Sequence, residues 1–240
     1  GGGFFGEFMA YGRWKEIKQF FHLNNNVFAA SSQDVLYKIR PVIDVLKVTF
    51  ERNYTLGQHL SIDEAMIPYK GGRNSVRMYM PKKPHKWGAK LWCCNDGDTG
   101  YCGRFDVYCG RRGGGAMEGM GLGESVVVRL VEGFEHTGRI VYTDRFFTSP
   151  TLYKRLLTKG IYGCGTVMTN RKAFPKEVMF ERRNVERGEF QQTVVSDGTM
   201  CAVAWCDNKP VHAISTVFGP ESVTVERKDK RGVAHTVDCP

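Results

Sequence analysis

The sequence predicts an α/β fold in which a mixed sheet is flanked by helices. Between residues 58 and 167 the pattern reads strand, hairpin strands, helix, strand, helix and strand. Such an order is typical of a mixed sheet, because parallel strands need long crossover connections whereas antiparallel strands are joined by short turns. A helical segment precedes this core and short β-like runs follow it. The sequence therefore predicts four segments along the chain: 1–57, 58–167, 168–228 and 229–240.

Helical periodicity dominates residues 1–57. Apolar side chains at helical spacing predict a first helix around Trp14, Ile17, Phe20 and Phe21. A second stripe predicts another helix that contains Leu36, Ile39, Ile43, Leu46 and Phe50. Candidate N-caps for this second helix are Ser31, Ser32 and Asp34. Pro41 lies inside the stripe, and we expect it to kink or divide the helix because proline lacks a backbone N–H.

Apolar runs and turn residues mark the elements of the core. Strands are predicted at 58–66, 86–95, 100–110, 139–144 and 161–168. The turn-rich segment 95–100 joins two of them into a hairpin. An apolar helical face is predicted from Leu122 to Phe134, and a further helix begins at Ser149 and Pro150 and ends at Gly160.

Residues 168–228 are predicted to form a small β-rich insertion. A charge-dense stretch leads into three short β-like runs at 189–196, 200–207 and 210–218. Asp197 and Gly198 stand between the first two runs and predict a hairpin turn. Residues 229–240 are polar and are predicted to return the chain to the core.

The composition favours a polyanionic partner. Lysine and arginine number 34 against 25 aspartates and glutamates, which gives a formal net charge of +9. A surplus of this size favours nucleic acid, although it also serves solubility. The apolar runs are too short for a membrane span, and the N-terminal residues lack the pattern of a signal peptide. Eight cysteines without any C-x-x-C spacing predict neither a zinc site nor a disulfide framework.

Two acidic residues stand at the ends of predicted strands. Asp63 lies near the end of the first core strand, and Asp144 ends the strand 139–144. Carboxylates that converge at one sheet edge repel each other unless a cation lies between them, and oxygen ligands select Mg²⁺ or Mn²⁺. The alternative is that both residues are ordinary loop-edge acids. Glu64 is predicted to be a solvated neighbour of Asp63, because adjacent strand residues point to opposite faces.

A basic segment, residues 77–90, is the second candidate site. Basic side chains surround Tyr79 and Trp87, and those predicted to bind DNA are Arg77, Lys82, Lys83, Lys86 and Lys90. Cations interleaved with aromatic rings suit a phosphate backbone and unstacked bases. The alternative is a basic surface loop anchored by one tryptophan.

Taken in order, several motifs resemble the piggyBac transposase family and its domesticated descendants. The most specific are LSIDEAMIPYKG, RMYMPKKPHKWG and YTDRFFTS, and further matching stretches cover nearly the whole chain. The resemblance implies an RNase H-like core, double-stranded DNA as partner, nuclear localisation and a homodimer in the full-length protein. It also implies a DDD nucleotidyltransferase with two Mg²⁺ or Mn²⁺ ions, which forms a hairpin at the transposon end and joins that end to a TTAA target. Asp63 and Asp144 match the family's first two catalytic aspartates and metal ligands.

The same resemblance locates what the 240 residues do not contain. The family's third aspartate follows a segment that Val237, Asp238, Cys239 and Pro240 match, so Asp238 itself is out of register. We therefore expect the 240-residue chain alone to be inactive. Residues 1–57 are expected to belong to a dimerisation and DNA-binding lobe. A silent, domesticated DNA- or chromatin-binding protein is the alternative function. An additional glycine, Gly72, interrupts the family's usual K-G-R before the basic segment.

Overall fold

One mixed sheet organises the fold. The computed structural model describes residues 5–28, 32–72, 76–110, 115–181, 184–195, 197–228 and 232–239. Its strands are β1 (His59–Pro68), β2 (Arg77–Tyr79), β3 (Trp87–Asp96), β4 (Cys102–Val107), β5 (Ile140–Thr143), β6 (Tyr162–Thr166), β7 (Phe190–Val194), β8 (Cys201–Cys206), β9 (Pro210–Ser215), β10 (Val223–Lys228) and β11 (Ala234–Cys239). Within these ranges, nine strands form the sheet in the order β2-β3-β1-β5-β6-β9-β8-β7, with β4 also paired to β3, while β10 and β11 form a separate ribbon. The predicted mixed α/β fold is confirmed.

The helices are short. They are α1 (Phe5–Phe8), α2 (Tyr11–Phe20), α3 (Arg40–Asn53), α4 (Leu122–Leu130) and α5 (Pro150–Thr158). Pro41 lies in the first turn of α3, where its missing N–H costs no hydrogen bond, and the predicted stripe is divided there because Leu36 and Ile39 lie before the helix. The N-cap of α3 is Ile39, so the prediction of Ser32 or Asp34 as its N-cap was wrong. Ser149 caps α5 as predicted, because its hydroxyl accepts a hydrogen bond from the Leu152 N–H at 3.0 Å. No helix in the described ranges is long and apolar enough to cross a membrane.

The two faces of the sheet carry different apolar clusters. On one face α4 and α5 pack against the sheet, and the buried side chains include Leu60, Ile62, Trp92, Val127 and Leu156. On the other face α3 covers β4, and ion pairs join Lys47 to Asp106 at 2.6 Å and Arg104 to Glu51 at 3.0 Å. The apolar stripe of α2 is largely exposed, with Phe20 70% accessible. Burial against both faces therefore fixes β1 and β3 in the centre of the molecule.

Three strands of the predicted insertion extend the main sheet. β9 pairs antiparallel with β6 through Cys164 and Ser215, and β8 and β7 follow β9 outward. The predicted β-rich content of residues 168–228 is thus present, but its strands continue the sheet of the core. The proposed segment boundaries remain a prediction. Ser31, Arg73 and Pro240 lie outside the described residues.

A buried hydroxyl network lies beneath the end of β5. The Thr143 hydroxyl is 2.7 Å from that of Thr148 and 2.8 Å from that of Tyr153. Tyr153 is fully buried, and burial raises the pKa of its phenol, so the group stays a neutral hydrogen-bonding partner. Gly165 on β6 lies directly against this network. A Cβ atom there would overlap the Thr143 carbonyl oxygen and stand 2.7 Å from the Tyr153 hydroxyl.

We predict that Gly165→Ala lowers the free energy of unfolding by about 1–3 kcal/mol, because the added methyl meets backbone that cannot move aside. The measurement is chemical denaturation of both proteins. Gly219→Ala is the matched control, since no atom lies within 4 Å of a Cβ built there, and its effect should stay within about 0.5 kcal/mol. Equal stability of the two variants would show that β6 is free to move away from Thr143.

Candidate active site and basic segment

Asp63 and Asp144 lie at the same edge of the sheet on neighbouring strands. β1 and β5 run parallel, with Leu60 beside Val141 and Ile62 beside Thr143. The next step along each strand is Asp63 on one side and Asp144 on the other. Both side chains are exposed. Asp144 follows the carboxyl end of β5, which is a usual place for ligands in α/β sheets. The prediction that Asp63 ends its strand was wrong, because β1 continues to Pro68 along β3.

A tight turn fixes Asp144. The Asp144 carbonyl oxygen accepts hydrogen bonds from the Phe147 N–H at 3.1 Å and the Thr148 N–H at 3.0 Å. The Thr148 hydroxyl donates to the same oxygen at 2.8 Å. The Phe146 N–H donates to the Asp144 carboxylate at 2.8 Å, and one such bond leaves most of the acceptor capacity of an ionised carboxylate towards solvent. The hydroxyl network under β5 therefore supports the backbone that carries this acid.

Asp63 belongs to β1, which has β3 on one side and β5 on the other. Its carboxylate accepts a hydrogen bond from the Glu64 N–H at 2.7 Å, and Cys93 lies opposite it on β3. Contact with the Cys102 thiol and burial raise the pKa of the Cys93 thiol. Cys93 is also buried, whereas the carboxylates of Asp63 and Asp144 are exposed. The oxygen donors that this edge presents to solvent therefore include these two carboxylates.

The donor set fits a hard divalent cation only in part. Asp63 and Asp144 supply oxygen atoms of the kind that Mg²⁺ and Mn²⁺ prefer. Within the described parts of the chain, no group of three or more His, Cys, Asp or Glu side chains is arranged to hold a metal ion. Asp238 belongs to β11 in the separate ribbon, and its side chain lies outside the described residues. Asp63 and Asp144 can thus contribute ligands to one metal site, but they do not supply the ligands of two.

Glu64 is not the solvated neighbour that the sequence suggested. Its side chain is only 18% exposed, and its carboxylate lies 3.4 Å from the Lys83 amine. The same amine donates to the Glu64 carbonyl oxygen at 3.2 Å. The prediction was wrong because Glu64 points to the face that carries Trp92, where the basic segment folds over it. Lys83 therefore fastens that segment to β1 directly beside Asp63.

Lys90 also lies inside the site rather than on its surface. Its amine is 3.8 Å from the centre of the Trp92 ring and 5.3 Å from that of Phe146. Burial lowers the pKa of the Lys90 amine, while the carboxylates of Glu64, Asp144 and Asp63 act in the opposite direction. Cations are attracted to aromatic faces, most strongly when they are partly desolvated. A fixed positive charge therefore stands close to both candidate catalytic acids.

The other basic side chains lie further out. Lys82 and Lys86 are exposed in the turn between β2 and β3. The Arg77 guanidinium lies 4.3 Å from the centre of the Trp87 ring and donates to the Gly71 carbonyl at 3.0 Å. The five predicted DNA-binding residues thus occupy two places. Lys83 and Lys90 lie beside the acids, whereas Arg77, Lys82 and Lys86 belong to the outer part of the basic segment.

Some residues of the site were missed in the sequence. Arg171 donates to the Arg145 carbonyl at 3.1 Å and to the Phe146 carbonyl, and so holds the turn that follows Asp144. The Lys90 amine packs on the Trp92 ring. The two residues are two positions apart on one strand, and this spacing predicts that they share a face. No local pattern indicates Arg171, because it approaches from a separate loop.

Comparison with known proteins agrees with this architecture. A family model described as transposase IS4 matches residues 2–239. The human PiggyBac transposable element-derived protein 2 is 28% identical over 229 residues, which are 93% of this chain and 38% of that protein. The human PiggyBac transposable element-derived protein 3 is 30% identical over 192 residues, which are 78% of this chain and 32% of that protein.

A solved structure matches as well. The cryo-EM structure of a piggyBac transposase synaptic complex with hairpin DNA superposes with a TM-score of 0.80 at 27% identity, covering 93% of this chain and 46% of that chain. The chain thus spans less than half the length of each of these proteins. With a family model that matches almost every residue and a solved piggyBac fold that superposes on most of the chain, this protein belongs to the transposase IS4 family and is of piggyBac type.

Proposed function

We propose that the chain forms most of the catalytic core of a cut-and-paste DNA transposase that joins transposon ends to TTAA targets. The observation that carries this proposal is that Asp63 and Asp144 directly follow Ile62 and Thr143, which are paired on the neighbouring parallel strands β1 and β5. The chain belongs to a family of transposases, and two acids that lie together at the ligand-binding edge of a sheet are suited to phosphodiester chemistry.

Each residue at this edge has a separate role in the proposed function. Asp63 and Asp144 would hold Mg²⁺ or Mn²⁺, and the complete enzyme would use two ions. Bound divalent ions would supply electrostatic stabilisation of the attacking and leaving oxygens. Lys90, fixed on the rings of Trp92 and Phe146, would contribute a positive charge towards the phosphate that reacts. Lys83 would keep the basic segment beside the acids through its ion pair with Glu64.

DNA is the proposed partner. The exposed amines of Lys82 and Lys86 would follow a phosphate backbone, which a net charge of +9 attracts at long range. The matched solved structure is named as a synaptic complex with hairpin DNA, which supports duplex transposon ends as the substrate. A homodimeric full-length protein and a nuclear location complete this proposal.

A domesticated, chemically silent DNA- or chromatin-binding protein is the second candidate. Two matched human proteins are named as derived from transposable elements, and the chain covers only 38% and 32% of them. Loss of chemistry removes the requirement for both acids, so the presence of Asp63 and Asp144 favours the enzyme. The two candidates share DNA binding and differ in cleavage.

Cleavage is the decisive test. In the native protein that carries residues 1–240, we expect Mg²⁺-dependent nicking of a labelled duplex that contains the transposon end flanked by TTAA, followed by a hairpin product. Asp144→Asn should abolish both products, and Asp98→Asn, an exposed acid of the β3–β4 turn, should leave them unchanged. DNA binding without cleavage in either Mg²⁺ or Mn²⁺ would favour the silent protein.

Metal binding can be tested on the 240-residue chain itself. Mn²⁺ titration followed by electron paramagnetic resonance should reveal a weak site, because two carboxylates offer few of the roughly six oxygens of an octahedral Mn²⁺ site. Asp63→Asn or Asp144→Asn should weaken that site by about tenfold or more, since each removes one of two charged ligands. Asp98→Asn is again the control. Equal Mn²⁺ binding by all variants would place the ion elsewhere.

The outer lysines should govern the salt dependence of DNA binding. Removal of one amine that neutralises a phosphate lowers the slope of log K against log salt by about 0.9, so Lys82→Ala with Lys86→Ala should lower it by about 1.8. The weakening should be the same for all duplex sequences, as measured by fluorescence anisotropy. Lys209→Ala, exposed in the turn between β8 and β9, is the control. An unchanged slope in the double variant would exclude these amines from the interface.

A further inference from the structure

We propose that Tyr79 and Trp87 form a stacking site for an unpaired nucleobase, at a fixed distance from the catalytic acids. This inference rests on the proposed DNA-transposase function and deepens it, because it assigns a substrate conformation, an unstacked base, to a particular pair of side chains.

The pair is already assembled and is accessible. Tyr79 and Trp87 face each other across β2 and β3, with ring centres 4.8 Å apart and planes tilted by 47°. The two residues are 50% and 47% exposed. Each ring has few rotatable bonds and is fixed on a hairpin, so little conformational entropy remains to be lost when a flat ligand binds. The β-ladder thus presents a rigid aromatic surface to solvent.

The surroundings select an anionic strand. The Arg77 guanidinium lies 4.3 Å from the centre of the Trp87 ring, and the Gly71 carbonyl holds it there. Lys82 and Lys86 are exposed in the turn that joins the two strands. An apolar protein partner would gain nothing from three cations around an aromatic pair, whereas nucleotides combine a phosphate with a flat base. Stacked bases on aromatic rings beside basic groups are the general mode of single-strand recognition.

The sheet relates this pair to Asp63. Side chains two residues apart on a strand share a face, so Trp87, Ala89, Leu91 and Cys93 point to one side of β3. Asp63 pairs with Cys93 and therefore lies on that side too, while Pro68 pairs with Gly88 beside the aromatic pair. Five residues of β1 span about 17 Å, which equals about five base-pair steps at 3.4 Å. A base stacked on Trp87 would thus belong to the strand that enters the active site.

A purely structural role is the competing explanation. Cross-strand aromatic pairs stabilise hairpins without any ligand. That role predicts that substitutions change stability, and that any effect on DNA binding is the same for single strands and duplexes. A stacking site predicts selective weakening for unpaired bases.

The test measures binding and needs no catalysis. A labelled single-stranded oligonucleotide and a blunt duplex are titrated with the 240-residue chain by fluorescence anisotropy. Trp87→Leu should weaken single-strand binding by about 5- to 150-fold, because stacking is worth about 1–3 kcal/mol per base, and duplex binding by less than about twofold. Trp87→Phe, which keeps a π-face, should stay within about threefold of wild type. Phe218→Leu, an exposed aromatic outside the basic segment, is the control.

A double-mutant cycle separates stacking from misfolding. An oligonucleotide with abasic positions should bind the wild-type chain as weakly as the normal oligonucleotide binds Trp87→Leu, with no further weakening when both changes are combined. Additive effects, or equal weakening for single strand and duplex, would overturn the stacking site and leave the transposase proposal intact. A wild-type chain that binds neither DNA form would instead count against the proposed function itself.

Discussion

The parallel pairing of β1 with β5 is the constraint on which the candidate site depends. It places Asp63 beside Asp144, residues that are far apart in the chain. The pairing is held from the side of β6, where Gly165 lets the chain approach the Thr143 carbonyl closely enough for Tyr153 and the threonine hydroxyls to bond. Because close-packed interiors transmit small displacements, one methyl group added at Gly165 would also displace the carboxylate of Asp144.

The two faces of β3 give its side chains different tasks. On the face of α4 and α5, Trp92 carries Lys90, and Glu64 binds Lys83. On the other face, Cys93 lies opposite Asp63, and Trp87 packs against Tyr79. The alternation of a single strand therefore assigns the cations nearest the acids to one side and the aromatic pair to the other. A basic segment that reads as uniform in sequence becomes two functional surfaces once it is folded.

Sequence patterns predicted the elements more fully than their surroundings. Periodicity found the helices and core strands. Asp144 follows the end of β5 as expected, but Asp63 lies inside β1, which continues beyond it because β3 pairs with it as far as Pro68. The pairing of β9 with β6 was not predicted, since nothing local indicates which sheet edge a β-hairpin joins. Glu64 was misassigned for a related reason: alternation gives the face of a residue, but not the loop that covers it. Arg171 is a tertiary contact with no local pattern at all.

Local charge distinguishes the catalytic edge from the protein as a whole. The chain carries a formal charge of +9, and at this edge the carboxylates of Asp63, Glu64 and Asp144 stand close to cations. These cations are the amines of Lys83 and Lys90 and the Arg171 guanidinium on the turn after Asp144. A divalent ion held by Asp63 and Asp144 would add to the attraction for phosphate at this edge. Linkage would make this effect reciprocal, so that an ion and a phosphate bound at this edge would each strengthen the binding of the other. The aromatic pair and the outer lysines lie about 17 Å away, beyond one Debye length at physiological ionic strength, so the DNA affinity proposed for them would be largely independent of the ion. In the proposed function, binding of the DNA strand and binding of the ion would therefore be separate steps at two places on one sheet.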